Sequence, residues 1–426
     1  MNTQRKDKII QFGEGGFLRG FVDWMVQIAN EEADFGGSIT VVQPIKNGLC
    51  DQLSAQGCVY THLCRGVEGV MVKKIDAISR CVKPYDNFEE YMALAENKDY
   101  RFIVSNTTEA GIAFNAEDKM TDTPASSFPG KLTQLLYKRY TLGLGGFVFL
   151  PCELIENNGS QLKRCILQYS DLWGLGDGFN SWIEKENIFT NTLVDRINTG
   201  YPKEETIDVG FDDKMLNTSE YFHLWAIEGY PRLFEEIPFD KCGLNVVLTD
   251  ELQKYRTIKV RILNGSHTSM IPFALLEGVE TVGDCLKDAK MSAHLKACQE
   301  EIVASLDMDK KETEAYAKAV MERFSNPYIR HLCQSIALNS VSKFKVRVLP
   351  SILDYERKLG KTPPTLMLSF AKLIDFYKYG TPNDDAVATE KMQKGTVSQI
   401  LADESLWGQD LSRFASEVEG YANSSK

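Results

Sequence analysis

A glycine-rich turn between a short apolar run and a helical pattern is the feature that most constrains the N-terminal fold. Residues 8–12, KIIQF, lead into GEGG and then into FLRGFVDWMVQIAN, whose apolar residues recur with helical spacing. This order predicts a strand, a tight turn and a helix, as in a Rossmann-like dinucleotide-binding unit. Gly13 permits the turn, and Gly15 lets a pyrophosphate approach the backbone at the start of the helix.

The glycine pattern is incomplete and needs support from the rest of the chain. The third glycine of the usual G-x-G-x-x-G pattern is Leu18 here, and Arg19 adds a cation in the first helical turn. The second predicted strand, ITVVQ at residues 39–43, ends without the acid that often binds the ribose of NAD. Lys46 follows it, either as a partner for a 2'-phosphate or as a solvated loop cation, so the residues leave NAD and NADP open.

Two more buried strands predict the edge of the sheet where ligands of doubly wound folds bind. Residues 101–105, RFIVS, run into a polar loop, and residues 145–151, GGFVFLP, run into Cys152-Glu153-Leu154. The loop residues are either cofactor contacts or a turn that caps the following helix. The candidates in the first loop are Asn106, Thr108 and Glu109. Residues 59–82 alternate apolar and polar side chains, which predicts antiparallel strands added to this fold.

Residues 259–276, KVRILNGSHTSMIPFALL, place three polar groups in an apolar helical pattern. At about 100° per residue, Lys259, Asn264 and His267 share one face. The residues predicted to face solvent or a lightly packed surface are Arg261, Gly265, Thr268, Ser269 and Pro272. Burying an amine, an amide and an imidazole costs several kcal/mol unless they are paired or used.

Catalysis is one use for this set. A desolvated lysine loses proton affinity and suits abstraction of an alcohol proton, while an amide and an imidazole can donate to an oxygen that gains charge. The structural alternative is that Lys259 extends to water, Asn264 caps a helix end beside Gly265, and His267 is a hydrogen-bonded core histidine.

Length and composition divide the chain and exclude several classes of protein. The chain has 426 residues and patterning that becomes helical after about residue 250. We therefore predict an α/β Rossmann-like domain at 1–250, with added strands, and a mainly α-helical domain at 251–426. A net charge of -11 argues against a nucleic-acid partner, and no apolar run is long enough for a membrane span.

Cysteine and histidine usage predicts a cytoplasmic, metal-independent protein. The ten cysteines include no CxxC motif and show no zinc-type spacing with the five histidines. We therefore expect reduced core thiols and no metal site. The N-terminus has no apolar signal region before its glycines.

The sequence contains a Lys-x4-Asn-x2-His motif, in KVRILNGSH. This motif resembles the signature of the polyol-specific long-chain dehydrogenases, the mannitol dehydrogenase family. Other segments show the same resemblance: IIQFGEGGFLRGFVDW, SNTTEAGI, FLPCELIENNG and TLVDRINTGYP. The resemblance covers nearly the whole chain. It implies a metal-independent oxidoreductase with NAD as cofactor, in which Lys259 is the general base and Asn264 and His267 hold the substrate oxygen. The family pattern GxGxFxR also implies a set of cofactor contacts. These are Gly13, Gly15, Gly16, Phe17 and Arg19.

One departure from the polyol pattern, together with nearby cations, indicates a sugar acid as substrate. Where the polyol enzymes have a loop closer to Cys-Asp-Asn, Leu154 cannot donate a hydrogen bond, and Glu153 is either a contact of Lys259 and the substrate or a loop acceptor. Lys343 matches a substrate-binding lysine, whereas the preceding arginine of that pattern is Ser335 here. Other cations nearby are candidate anion binders or a solvated face. They are Arg330, His331, Lys345 and Arg347.

The resemblance therefore implies reversible hydride transfer between NAD and D-altronate, giving D-tagaturonate. Within the family, reduction of fructuronate and oxidation of mannitol are the alternatives, because they share the same three site residues. Outside enzymes, the alternative is a protein that senses NAD(H) without chemistry. The intact Lys259, Asn264 and His267 set argues against a sensor.

Overall fold

The computed structural model describes residues 5–108 and 110–423. It divides into two compact units, Met1–Tyr255 and Arg256–Lys426. The strands are β1 (Lys6–Phe12), β2 (Gly37–Val42), β3 (Tyr60–Gly66), β4 (Gly69–Ile75), β5 (Ile78–Val82), β6 (Phe102–Ser105), β7 (Val148–Pro151), β8 (Ile188–Phe189), β9 (Asn191–Asp195), β10 (Asn198–Gly200), β11 (Asn217–Ser219), β12 (Leu224–Glu228) and β13 (Val246–Leu248).

Helices occur in both units. Those up to residue 258 are α1 (Gly16–Arg19), α2 (Val22–Glu32), α3 (Cys50–Ala55), α4 (Phe88–Ala93), α5 (Phe128–Thr141), α6 (Asn158–Trp173), α7 (Asp177–Glu186), α8 (Leu233–Glu236) and α9 (Leu252–Ile258). After a π-helical turn at Lys259–Asn264 come α10 (Gly265–Leu276), α11 (Val282–Lys287), α12 (Ala289–Ser305), α13 (Lys310–Phe324), α14 (Cys333–Ile336), α15 (Ser340–Arg347), α16 (Leu349–Leu359), α17 (Pro364–Tyr379), α18 (Ala386–Lys394), α19 (Val397–Ala402), α20 (Glu404–Trp407) and α21 (Ala415–Asn423).

A six-stranded parallel sheet forms the centre of the first unit, in the order β5-β2-β1-β6-β7-β8. All residues of β2, β6 and β7 are buried, because helices cover both faces of such a sheet. The strand order reverses between β1 and β6, which is where doubly wound folds bind dinucleotides. The predicted Rossmann-like fold is confirmed.

The expectation for residues 59–82 is correct for only part of the segment. β3 and β4 form an antiparallel hairpin within a second, four-stranded sheet. β5, however, pairs with β2 in parallel at the edge of the main sheet, so the prediction that it is antiparallel was wrong. An edge strand is exposed on one side, so it shows the same alternation of apolar and polar residues as a hairpin strand.

The single helix predicted after the glycine turn is broken into α1 and α2. Gly20 ends α1, and a Cβ built on Gly20 would lie 2.7 Å from both Asn217 Nδ2 and His62 Cε1. Glycine at this position lets the second sheet pack closely against the chain. The strand, glycine turn and helix order is confirmed, but its helix is interrupted at this contact.

The second unit is helical throughout its described residues, apart from an isolated bridge between Thr281 and Leu332. α10 lies at its centre and packs against α12, α14, α15 and α17. The largest apolar cluster of the chain surrounds it, and members such as Ile262, Met270 and Phe344 are almost fully buried. The predicted α-helical class of this region is confirmed.

Two kinds of feature are absent from the described residues. None of the helices is long and apolar enough to cross a membrane. No cluster of three or more histidine, cysteine or acidic side chains has the geometry to hold a metal ion.

Candidate active site

A π-helical turn carries two of the three predicted catalytic residues. It runs from Lys259 to Asn264, and the amide of Gly265 donates back to Val260 O, five residues earlier. In such a turn, residues five apart lie on successive turns, which brings Lys259 and Asn264 toward the same side. Both side chains are half-buried. A π-helical turn inside an α-helix is frequently found at a functional site.

The opposite side of this segment is buried, so the predicted solvated or lightly packed surface was wrong. Arg261 is 8% exposed and donates to Ser351 Oγ at 2.7 Å, Ser305 Oγ at 3.1 Å and Asp354 Oδ2 at 3.0 Å. The other residues assigned to this side are buried as well. They are Gly265, Thr268, Ser269 and Pro272. A helix at the centre of a helical unit contacts neighbours on every side, so amphipathic patterning does not describe it.

His267 packs against two other aromatic rings. Its ring stacks on Phe324, with centroids 4.1 Å apart and an interplanar angle of 16°, and meets His331 edge-on at 5.1 Å. Within residues 5–108 and 110–423, its buried Nε2 has no hydrogen-bond partner. A buried polar atom without a partner is costly, which fits an atom that a ligand satisfies. The hydrogen-bonded core histidine proposed as the alternative does not describe Nε2.

Positive charge surrounds His267. Burial holds the pKa of its imidazole well below the usual value, and nearby His331, Arg323, Arg347 and Lys343 lower it further. The ring is therefore neutral near pH 7. A neutral imidazole within a cationic surround can hydrogen-bond a substrate oxygen, while the surround favours a negatively charged ligand.

The cations predicted from residues 327–355 do not all lie near His267. Lys343 is half-buried, and its Nζ donates to Ile336 O at 2.9 Å; burial, and then Arg347, lower its pKa. Lys345 lies elsewhere, since a Cβ on Gly408 would be 3.2 Å from its Nζ. Arg330 is exposed, and its charge contributes to lowering the pKa of Asp284.

The turn after β1 has the geometry that close approach of a ligand requires. Gly13 has φ +118°, and its amide donates to Val42 O at 3.0 Å. A Cβ there would lie 3.1 Å from Asn106 O, whereas a Cβ on Gly15 would meet no described atom within 4 Å. Gly13 is thus needed by the chain itself, and Gly15 leaves open space beside the turn.

The other predicted contacts in this turn are occupied within the first unit. Arg19 is 5% exposed; its Nε donates to Glu14 O at 3.1 Å, its Nη1 donates to Met215 O, and it lies over the Tyr60 ring. Arg19 therefore stabilises the turn by joining Glu14 to Met215.

Phe17 and Gly16 also have partners from their own unit. The Phe17 ring stacks on Phe21 at 5.0 Å. The Gly16 carbonyl accepts from the side-chain amides of Asn217, at 2.9 Å, and Asn198. Sequence reasoning missed both asparagines, which lie about 200 residues from the turn and carry no local signal.

The loops after β6 and β7 are joined through Glu153. This residue is 2% exposed and accepts from Ser105 Oγ, Thr107 N and Thr107 Oγ1, all at 3.0 Å; burial raises its pKa. These bonds fit the loop-acceptor alternative for Glu153. Asn106 also links the two loops, through Nδ2 and Cys152 O at 3.1 Å.

Each of these two loops contains a further residue considered in the sequence analysis. Thr108 has φ +77° and ends the described part of this loop, because Glu109 lies outside the described residues. Leu154, which replaces a polar donor of the polyol pattern, is 55% exposed.

Gln43 replaces the acid that commonly follows the second strand, and it shapes the next loop. Its Nε2 donates to Ile45 O and Lys46 O, each at 3.0 Å, and its Oε1 accepts from Cys50 N at 3.2 Å. The Lys46 ammonium lies 5.7 Å from the centroid of the Tyr85 ring.

Comparison with known sequence families covers both units. The Mannitol dehydrogenase Rossmann domain matches residues 7–241, and the Mannitol dehydrogenase C-terminal domain matches residues 251–425. The chain belongs to the mannitol dehydrogenase family. The resemblance seen in its motifs is confirmed.

Relatives within the mannitol dehydrogenase family match along nearly the full chain. The altronate oxidoreductase of Yersinia enterocolitica is 42% identical over 438 residues, covering 95% of this chain and 91% of its own length. That of Escherichia coli O6:K15:H31 is 41% identical over 455 residues, covering 99% and 94%.

Two solved structures share the fold at 20% sequence identity. The substrate-free D-sorbitol dehydrogenase has a TM-score of 0.83 and covers 98% of this chain and 92% of its own. The Pseudomonas fluorescens mannitol 2-dehydrogenase, in a ternary complex with NAD and D-mannitol, has a TM-score of 0.72 and covers 100% and 92%.

Proposed function

We propose that this chain is an NAD-dependent oxidoreductase that interconverts D-altronate and D-tagaturonate. The observation that carries the proposal is 41–42% identity to altronate oxidoreductases along nearly the whole chain. The positive surround of His267 supports it, because altronate and tagaturonate carry a carboxylate that mannitol lacks.

In the proposed reaction the second unit handles the alcohol oxygen. Lys259 removes the hydroxyl proton of the carbinol, and Asn264 and the free Nε2 of His267 hold the oxygen as negative charge develops on it. Lys343 orients the sugar, with its ammonium anchored on Ile336 O. In the reducing direction Lys259 returns the proton to the new alkoxide.

The first unit supplies the proposed nucleotide site, at the end of β1 and β6. The positive φ of Gly13 and the open space at Gly15 fit a pyrophosphate against the backbone, with Asn106 and Thr108 beside it. NAD accepts or donates the hydride. We assign residues 1–250 to cofactor binding and 251–426 to the catalytic groups. Arg19 and Glu153 act by positioning these loops.

The decisive measurement is NADH consumption by the purified chain with tagaturonate, fructuronate and fructose at two salt concentrations. We expect tagaturonate to exceed fructose in kcat/KM by one to two decades, roughly the value of a charge-assisted contact to a carboxylate. Part of this margin should fade as salt rises.

Each alternative gives a different result in the same assay. Faster turnover of fructuronate assigns the chain to fructuronate reduction, and equal or better use of fructose returns it to the polyol enzymes. NADH binding without consumption of any of the three substrates indicates a sensor.

We also infer that the protein works in the cytoplasm without a nucleic-acid or membrane partner. Its ten cysteines are free thiols, nine of them buried and Cys81 half-buried, which suits a reducing compartment. The net charge of -11 disfavours binding to phosphate backbones.

A further inference from the structure

Arg347, the last residue of α15, carries a half-buried guanidinium. Within residues 5–108 and 110–423 it makes no hydrogen bond and no ion pair, and burial alone lowers its pKa. Removing a charge from water without a compensating partner is unfavourable. The cost is recovered when an anionic ligand occupies the position.

The two lysines of α15 are placed differently from Arg347. Lys343 lies one helical turn earlier on the same side, but its ammonium donates to Ile336 O at 2.9 Å. Lys345 lies on another side of the helix, beside Gly408. Within the described residues, Arg347 therefore differs from Lys343 in making no hydrogen bond, and from Lys345 in lying near His267.

The end of α15 lies directly against the catalytic helix. A Cβ built on Gly265 would be 3.2 Å from Arg347 O, and Gly265 immediately follows Asn264. The positive charge of Arg347 also contributes to lowering the pKa values of His267 and Lys343. Arg347 is thus close to the groups that hold the reacting oxygen in the proposed function.

We propose that Arg347 binds the substrate carboxylate and so selects sugar acids over neutral sugars. This assignment rests on the proposed function and adds its specificity-determining residue. A guanidinium presents planar paired donors that match the two oxygens of a carboxylate, whereas a lysine ammonium is a point charge. Lys343 then contacts a hydroxyl and anchors the sugar chain.

The test compares tagaturonate with tagatose, which has a primary alcohol in place of the carboxylate. We expect R347Q to lower kcat/KM for tagaturonate roughly ten- to hundredfold, the effect of losing a charge-assisted contact, with kcat/KM for tagatose unchanged within about twofold. R347K should recover only part of the loss. K345Q, on the same helix but away from the site, is the matched control and should retain the wild-type ratio.

A second readout does not depend on tagatose turnover. Titration calorimetry should show altronate binding at least roughly tenfold weaker in R347Q than in the wild type and K345Q, with melting temperatures that match. If R347Q does not fold, the same measurements on R347K decide, and wild-type values there overturn the assignment.

The outcomes separate the two proposals. Wild-type protein that fails to reduce tagaturonate overturns the proposed function. Wild-type preference for tagaturonate that survives in R347Q overturns only the role of Arg347. An equal loss for tagaturonate and tagatose also overturns it, because a purely structural role affects both substrates alike.

Discussion

His267 contributes a neutral imidazole in a site where nearby Arg323, Arg347 and Lys343 are cationic. Burial and the adjacent positive charges keep its pKa low, and Phe324 fixes the ring plane at 4.1 Å. A neutral ring adds no further charge to repel Lys259 or Lys343. Its free Nε2 can therefore act as an oriented hydrogen-bond partner while the lysine moves the proton.

Replacing Lys259 tests the assignment of the general base. We expect Lys259→Ala to lower kcat by about two to four decades, the usual contribution of a positioned base, with NADH affinity nearly unchanged. Stopped-flow kinetics and NADH fluorescence titration measure the two quantities.

Lys361→Ala is the control for that experiment, since Lys361 is an exposed lysine in the same unit. If Lys259→Ala keeps more than about a tenth of wild-type turnover at the pH optimum, Lys259 is not the base.

His294 provides a test of histidine burial outside the site. Its Nε2 lies 3.0 Å from Ser369 Oγ, and burial lowers its pKa to about 4. In the unfolded chain a histidine titrates near 6.5. The stability associated with a neutral His294 is therefore complete above pH 6.5 and is lost progressively as pH falls toward 4.

Replacing His294 removes this dependence. The free energy of unfolding of wild type minus that of His294→Gln should decrease by up to about 2 kcal/mol between pH 8 and pH 5. Urea unfolding at both pH values measures the difference. A gap that stays constant, or widens in acid, contradicts the lowered pKa.

At the scale of elements, the glycine turn offers a matched pair of substitutions. Gly15→Ala should leave stability unchanged and weaken NADH binding, because its backbone has φ -65° and its new Cβ enters open space. Gly13→Ala should weaken NADH binding and also lower the free energy of unfolding by about 1–3 kcal/mol, because Gly13 has φ +118°.

Thermal melts of the two variants measure their stability, and NADH titrations measure their affinity for the cofactor. If Gly15→Ala binds NADH as tightly as the wild type, the nucleotide does not approach this part of the turn.

The main strands could be predicted from the sequence because each signal was local. β1, β2, β6 and β7 each contain a short apolar run bounded by glycine or polar residues, and such runs are typical of buried parallel strands. The edge position of β5 was not predictable from alternation alone. The break between α1 and α2 depends on a sheet whose strands lie far away in sequence.

The candidate site was predictable in its residue types but less so in its surroundings. The spacing of Lys259, Asn264 and His267 was visible in one motif, yet the stacking partner Phe324 lies on another helix, 57 positions after His267 by residue number. The π-helical turn also left no periodic signature over its six residues. Contacts between distant elements are set by tertiary packing, which single-sequence patterns do not encode.

At the scale of the whole molecule, we expect activity to be independent of metal ions. The described residues contain no cluster of ligands able to hold one, and the proposed base and oxygen contacts are side chains. Dialysis against EDTA should leave kcat and KM unchanged. Activity that EDTA abolishes and zinc restores would overturn both the mechanism and the absence of a metal site.

The π-helical turn also sets how tolerant the chain is to small deletions. A π-helical hydrogen bond spans one more residue than an α-helical one, so removal of a single residue between Lys259 and Asn264 would allow an ordinary α-helix to form. The helical residues on either side would keep nearly the same rotational relation, because a π-helical turn accommodates the one extra residue that the deletion removes. The turn thus absorbs one added residue, and it keeps the side chains of Lys259 and Asn264 toward the same side although they are five positions apart.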